Sequence, residues 1–238
     1  MNITSINNEK VKLWSSLKTK KYRDRQGIFL IEGDHLVNIA LEKNLVIDLI
    51  LLEDNYEFKN KFIVTEDIMS KISSQQSISK VCATVKLFED ILDTKNSILL
   101  DSLQDPGNVG TIIRSAVAFG FKNVILGPNT VDIYNDKVVR ASEGMMFNIN
   151  FYNVNNIAEI ENLKDKGFTL IGTNVEKGES IKTINKDKPI IIIIGNEGRG
   201  MDPNIDCDAY VKINMEQSCE SLNAGVCASI LMNEVYNG

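Results

Sequence analysis

Apolar residues recur at short intervals through the first third of the chain. Val11, Trp14 and Leu17 fall at helical spacing, a sparse stripe on a segment otherwise rich in lysine, so a helix with a basic remainder is expected. Ile28 to Ile31 reads as a short buried strand that stops at Glu32-Gly33. Leu36 to Leu41 follows as a helix, and Val46 to Leu52 and Phe62 to Val64 as strands. Ser70 to Ser79 turns polar before Val81 to Leu87 resumes a strand pattern. The charged stretch Glu89 to Asn96 has few apolar residues, and a domain boundary is expected there, giving a small α/β domain over 1–96.

From Ile98 onward strands alternate with helices, which predicts an α/β domain over 97–238 built on a parallel sheet covered on both faces. Strands are expected at Ile98 to Leu100, Lys122 to Leu126, Asn148 to Tyr152, Phe168 to Gly172, Ile190 to Ile194 and Tyr210 to Ile213. Helices are expected at Val109 to Phe119, Asp136 to Ser142, Ile157 to Lys166 and Leu222 to Val235.

Composition narrows the class. With 238 residues, 43% of them hydrophobic, and 4 prolines, the chain is neither disordered nor collagen-like nor a coiled coil. Its longest aliphatic run, Ile190 to Ile194, falls far short of the roughly 20 residues that cross a bilayer, so no membrane partner is expected. Cys82, Cys207, Cys219 and Cys227 show no C-x-x-C spacing, and no basic, apolar leader precedes them. They read as free thiols of a cytoplasmic protein. His35, the one histidine, has no metal-ligand set or nucleophilic triad around it, so it is expected at the surface or in a loop and no metal is expected.

The net charge of −6 conceals an uneven distribution. Within the first 30 residues Lys10, Lys12, Lys18, Lys20, Lys21, Arg23 and Arg25 face only Glu9 and Asp24. A basic helix of this kind is a solvated face by default, and becomes a phosphate-contacting arm when a nucleic-acid enzyme stands behind it. Trp14 on that helix reads as a packing residue.

Three glycine-bearing junctions carry the candidate chemistry. In the first, Asp101 to Gly120, a strand ends, Pro106-Gly107 turns, and a helix begins near Asn108 as its cap, placing Arg114 two turns on. In the second, five isoleucines deliver Gly195-Asn-Glu-Gly-Arg-Gly200 to a strand's carboxyl end, where open α/β sheets bind ligands. Its G-x-x-G-x-G spacing is neither a dinucleotide fingerprint nor a phosphate loop, which suits a nucleotide-like ligand without a polyphosphate. In the third, Ile213 to Glu234, a polar loop leads into a helix opened by Ser221 and Asn223 and continued by small residues. Each junction alone also reads as an ordinary capped turn.

Together, in this order, they resemble the SpoU (TrmH-like) family of SPOUT methyltransferases. Asp105 to Gly120 matches the family's D-P-x-N-x-G-x-I-x-R-x-A-x-A-F-G, Gly195 to Met201 its G-N-E-G-x-G-hydrophobic, and Glu220 to Asn223 its E-S-L-N. Lys137 to Gly144 is similar to its R-A-S-x-G element. Ile3 to Lys12 and Phe29 to Gly33 resemble the ribosomal-protein-like RNA-binding domain often fused to these enzymes. The third motif departs from the family, with Asn214, Ala224, Gly225 and Cys227 where a proline and valines are usual, which bears on cofactor affinity and dimer packing.

The resemblance implies a knotted SPOUT domain with a deep trefoil knot, a homodimer, and methyl transfer from S-adenosylmethionine to a ribose 2′-hydroxyl of RNA. Ribosomal RNA (23S) stands ahead of transfer RNA because of the extra amino-terminal domain, and an RNA-binding protein without turnover is the other alternative. It places cofactor contacts on Gly195, Ile213 and Leu222, with Thr173, Asn174 and Met215. Catalysis falls to Arg114, with Asn108, Glu197, Ser221 and Asn223 holding the site together. RNA contacts fall to Lys18, Lys20, Lys21, Arg23, Arg25 and Arg140. Arginine is an awkward base because it keeps its proton, so Arg114 is expected to bind a phosphate and stabilise the developing alkoxide, with Glu197 orienting Arg114 or Asn108.

Overall fold

In the computed structural model the chain runs β1 (Asn2–Ile3), α1 (Glu9–Ser16), α2 (Lys20–Gln26), β2 (Ile28–Glu32), α3 (Asp34–Glu42), β3 (Val46–Leu51), β4 (Lys61–Val64), α4 (Glu66–Ile72) and β5 (Val81–Lys86). It continues β6 (Ser97–Leu100), α5 (Pro106–Ala118), β7 (Asn123–Leu126), α6 (Asp136–Ala141), β8 (Asn150–Asn153), α7 (Ile157–Glu161), β9 (Thr169–Thr173), β10 (Ile190–Ile194), β11 (Ala209–Val211) and α8 (Ala224–Asn237). The structure describes residues 1–75, 77–175, 177–185, 187–216 and 218–237. Gln76 of the polar stretch and Gln217 of the third junction lie outside the described residues.

Two compact units result. One holds Met1–Leu87 together with Asp132–Phe147, the other Phe88–Val131 with Asn148–Gly238. The segment carrying α6 and the R-A-S-x-G element thus packs within the first unit, although it lies between two strands of the second unit's sheet.

The first unit's five-stranded sheet has the order β1-β4-β3-β5-β2, with β5 antiparallel to both neighbours and the remaining pairs parallel. The expected basic helix is two helices. Asn8 caps α1 by accepting from the Lys10 amide, Val11 and Trp14 bury its apolar stripe, and α1 ends at Ser16, so Leu17 packs its buried side chain from the link to α2. Gly27, at φ +68°, closes α2 in the left-handed conformation that glycine adopts without strain. Helix α4 is not an element that the hydrophobic pattern predicts. Thr65 caps it, Glu66 and Asp67 occupy its first turn, and Ile68, Met69 and Ile72 bury one face, a signal masked by the polar stretch that follows.

A buried carboxylate organises this core. Asp48 of β3 accepts from Lys10 Nζ at 2.7 Å and from the Trp14 indole at 3.1 Å, while its own amide donates to Thr84 Oγ1 at 3.1 Å. Trp14 is fully buried and meets Phe62 edge-on, so it packs as expected. His35 is on α3 rather than in a loop, exposed, with Glu143 at 3.7 Å.

The second unit's six strands, ordered β11-β9-β10-β6-β7-β8, are parallel in every pairing. All five isoleucines of β10 are buried, as a central strand covered on both faces requires. Leu99, Ile125, Ile160, Leu163, Leu170, Ile191 and Ile193 form the core on one side. On the other, α5 packs on α8 with Ser115 Oγ 2.7 Å from Ser229 Oγ. The small residue Gly225 permits this approach, because an added Cβ would stand 3.2 Å from Thr111.

Candidate active site

The carboxyl ends of β6, β9, β10 and β11 lead into the loops that build the site. After β10 the chain doubles back: the Asn196 and Gly200 backbones exchange hydrogen bonds at 3.0 and 2.8 Å, and the Asn196 side chain accepts from the Gly198 and Arg199 amides. The turn closes so tightly on its own start that a Cβ on Gly195 would stand 2.1 Å from the Met201 nitrogen. Two further bonds tie it to the loop after β6. The Asn196 side-chain Nδ2 donates to the Ser102 carbonyl at 2.9 Å, and the buried Asp101 carboxylate accepts from the Asp202 backbone amide at 2.7 Å.

Helix α5 opens one bond away. Asp105, not Asn108, is its cap: the Asp105 carboxylate accepts from the Asn108 amide at 2.8 Å with Pro106 at the first position, where a missing N–H costs nothing. The Asn108 side chain is thereby free to reach across. Its Nδ2 donates to Glu197 Oε1 at 2.9 Å, and its Oδ1 accepts from Asn223 Nδ2 at 2.8 Å. Asn223 Oδ1 in turn accepts from the Gly225 and Val226 amides at 2.9 and 3.2 Å, capping α8. One line of polar groups therefore joins all three junctions, with Asn108 at its centre. Ser221 and Leu222, expected in the closing helix, lie in the loop before it because α8 starts at Ala224.

Beside this line lies a cavity of about 690 Å³. Gly195, Ile213, Leu222, Thr173, Asn174 and Met215, the six expected cofactor contacts, all line it, as do Glu197 and Ser221. Thr173 Oγ1 donates to the Ile193 carbonyl at 2.8 Å, which fixes that wall. Cys227 lines it too, its thiol pushed up from the usual value by burial.

Arg114 stands apart from this assembly. It is exposed, is absent from the cavity wall, and among the described residues its guanidinium has no hydrogen-bond or ion-pair partner. Six residues separate it from Asn108, about 240° around a helix, so the two face different ways. Glu197 accordingly holds Asn108 rather than Arg114.

Residues 95–233 match the family model "SpoU rRNA Methylase family", and residues 8–85 match that of the MRM3-like substrate binding domain. The chain belongs to the SpoU rRNA methylase family. It is 35% identical to the 23S rRNA (guanosine(2553)-2′-O)-methyltransferase RlmP of Bacillus subtilis over 97% of each chain. Among solved structures, the SpoU methyltransferase AviRb of Streptomyces viridochromogenes in complex with AdoMet superposes with a TM-score of 0.85 at 26% identity, covering 97% of this chain and 98% of that one. The AdoMet-bound rRNA methyltransferase of Sinorhizobium meliloti gives 0.88 at 27% identity, covering 100% and 97%.

The SpoU cavity of this chain fits S-adenosylmethionine. Its volume lies in the range of about 300–1,000 Å³ that encloses a ligand of such size. Met201, Leu222 and Leu231 offer apolar faces, Gly195 offers close backbone, and Glu197 and Glu220 place carboxylates on a wall that also carries Lys177, Arg199 and Lys212. No loop presents the phosphate-binding glycine spacing, in keeping with a nucleoside that carries no phosphate. Sequence reasoning did not single out Asp101, Asp105 or Asn196 as site-builders. The signal available was an Asp or Asn at each strand-to-loop junction, residue types that bond neighbouring backbone.

The expected RNA contacts divide. Lys18, Lys20, Lys21 and Arg25 are exposed, with Lys20 paired to Asp24 at 3.3 Å. Arg140 is partly exposed and pairs with Asp136 at 2.7 Å. Arg23 is a correction: only 6% exposed, it donates to the Leu17 carbonyl and to Asp132, which tie it into the first unit and withhold it from a ligand. Its Nε has no partner among the described residues.

Proposed function

We propose that this chain transfers a methyl group from S-adenosylmethionine to a ribose 2′-hydroxyl of 23S ribosomal RNA. The observation that carries the reading is the Glu197–Asn108–Asn223 line beside a cavity walled by the six expected cofactor contacts. RlmP of Bacillus subtilis, matched over nearly the whole of both chains, favours the 23S substrate over transfer RNA.

When bound, S-adenosylmethionine supplies an electrophilic methyl group on a sulfonium. Gly195, Ile213 and Leu222 hold it through backbone groups, with Thr173, Asn174 and Met215 completing the wall. Glu197 accepts from Asn108 and adds negative charge next to the cationic ligand. Asn108 is fixed at both ends of its amide, and Asn223 couples that amide to the start of α8, so the line keeps its geometry without reorganisation. Ser221 offers a hydroxyl at the cavity wall for the ribose. Arg114, exposed and unengaged outside this wall, reaches the reaction through the RNA: it takes the phosphate next to the target ribose and stabilises the alkoxide that forms there. Lys18, Lys20, Lys21, Arg25 and Arg140 capture the RNA electrostatically.

A homodimer, a cytoplasmic location and a deep trefoil knot belong to the same reading. The strand order is compatible with the knot, β11 lying outside β9 and α8 packing on α5.

Titration calorimetry of the full chain with S-adenosylmethionine, S-adenosylhomocysteine and NAD tests the proposal, followed by mapping of 2′-O-methyl sites in 23S rRNA. Saturable binding of the first two alone, and one new methylated nucleotide, is the expected result. An absence of turnover despite cofactor binding would leave an RNA-binding protein.

A further inference from the structure

Three loops that reach the cavity each bring a cation to its wall. Lys177 follows β9, Arg199 sits in the turn after β10, and Lys212 follows β11. Residues 97–238 hold 12 Lys and Arg against 18 Asp and Glu, so a quarter of this region's cationic residues line one cavity in an acidic setting.

Their charged ends are unengaged. The backbone amides of Lys177, Arg199 and Lys212 donate to Asn174 Oδ1, Asn196 Oδ1 and the Glu179 carbonyl. Among the described residues none of the three side chains has a hydrogen bond or ion pair. Elsewhere in the same unit Lys164 bonds Asp206 at 2.9 Å. Of the two carboxylates on this wall, Glu197 is taken by Asn108, while Glu220 has no partner among the described residues.

Two sources could supply the anionic oxygens that such cations hold: the carboxylate of the cofactor or the phosphodiesters of RNA. Charge decides between them. S-adenosylmethionine carries a sulfonium, an ammonium and a carboxylate, one net positive charge, and three unengaged cations oppose a net cation. An RNA strand carries one negative charge per nucleotide and offsets all three.

We propose that Lys177, Arg199 and Lys212 form a phosphate-binding rim that holds the RNA backbone flanking the ribose delivered to the cavity. The inference rests on the RNA-methyltransferase reading and adds a second RNA surface, separate in sequence from the basic arm. Bonds to phosphate fix register and orientation rather than base identity. The arm captures the RNA, and the rim aligns it.

The test is filter binding of the full chain to protein-free bacterial 23S rRNA across a potassium chloride series. Wild type is compared with the rim variant (Lys177→Gln, Arg199→Gln and Lys212→Gln combined) and the arm variant (Lys18, Lys20, Lys21 and Arg25 each→Gln). Calorimetry with S-adenosylmethionine, S-adenosylhomocysteine and methylthioadenosine runs alongside and reports that the rim variant is folded. In the rim variant the RNA Kd is expected to rise about tenfold and the salt slope to fall by about two, as the loss of three single-strand phosphate contacts dictates. Cofactor affinity stays equal or tightens.

Wild-type binding with an unchanged slope in the rim variant overturns the rim and leaves the RNA reading standing, the more so if the arm variant weakens. Weaker binding of both cofactor forms with methylthioadenosine unaffected assigns the rim to the cofactor carboxylate and overturns the proposal. Failure of the wild type to bind RNA overturns both.

Discussion

The two sheets of this protein use their residues in opposite ways. In the all-parallel sheet of the second unit, strands such as β10 are apolar throughout, and the chemistry sits in amides and glycines where those strands end. In the mixed sheet of the first unit, a charge is buried inside the layer itself, where Asp48 gathers Lys10 and Trp14, while the exposed cations Lys18, Lys20, Lys21 and Arg25 stand on α2 and its approach. One unit is organised around a backbone pocket, the other around fixed internal charge. Damage to the first kind of site abolishes binding, and damage to the second loosens the support beneath a surface.

The sharpest way to separate them is Gly195→Ala. A Cβ at that position meets the Met201 nitrogen at 2.1 Å and the Gly200 carbon at 2.2 Å, both backbone, so the turn must open. Calorimetric binding of S-adenosylmethionine is expected to vanish while RNA binding and circular dichroism persist. Retained affinity would show that the cavity does not depend on the turn.

Arg114→Ala comes next. A loss of about a hundredfold or more in kcat is expected, with cofactor Kd unchanged, as for removal of one group that stabilises developing charge. Arg114→Lys separates charge from planarity: substantial activity in the lysine variant means that charge suffices. Asn223→Ala should act more mildly, lowering kcat about tenfold through a loosened Asn108 and costing about 1 kcal/mol of stability through the lost cap of α8. A thermal melt and a kcat measurement on one sample read both effects.

The parallel sheet and the five buried isoleucines were legible because period expresses backbone geometry, whereas the cavity wall was legible only through the resemblance of the three motifs to the SpoU family. Strands β2 to β5 of the first unit and the packing of Trp14 were legible too, but its buried ion pairs were not. Arg23 looked like its neighbours Lys21 and Arg25, and only the distant Asp132 turns it inward, a pairing across 109 positions that no local pattern records. Helix α4 was hidden by the serines and glutamines that follow it. Sequence alone does not separate Asp105 from Asn108 as the cap of α5, because Asp and Asn both cap helices and the choice follows from which amide each side chain reaches.

Asp48→Ala addresses the buried charge directly. It leaves the Trp14 indole N–H without an acceptor inside the core, and an orphaned donor of this kind costs about 1–3 kcal/mol. The expected result is a lowered unfolding midpoint with cofactor Kd unmoved. Should cofactor affinity fall in parallel, the contrast between the units would fail.

The smallest effect concerns the thiols. Burial pushes Cys207 up to about 11, so at neutral pH it is almost wholly the unreactive thiol, whereas Cys219 is exposed. Iodoacetamide should label Cys219 first, with Cys207 following only as pH rises. The sign for stability is the same: the folded state favours the neutral Cys207 thiol, and that contribution is present below about 9 and lost as pH climbs towards about 11.

The segment Asp132–Phe147 leaves the second unit's sheet after β7, completes the first unit, and returns to form β8. During synthesis the early strands and helices therefore emerge without their last partners, since Arg23 waits for Asp132 and the core for Val138 and Met146. By the time those residues leave the ribosome, the first two strands of the second sheet are already made. The order of translation thus makes completion of the first unit wait on synthesis of part of the second. A protein cut after Leu87, or one whose front portion is exchanged for that of a relative, would lack a piece of its own interior.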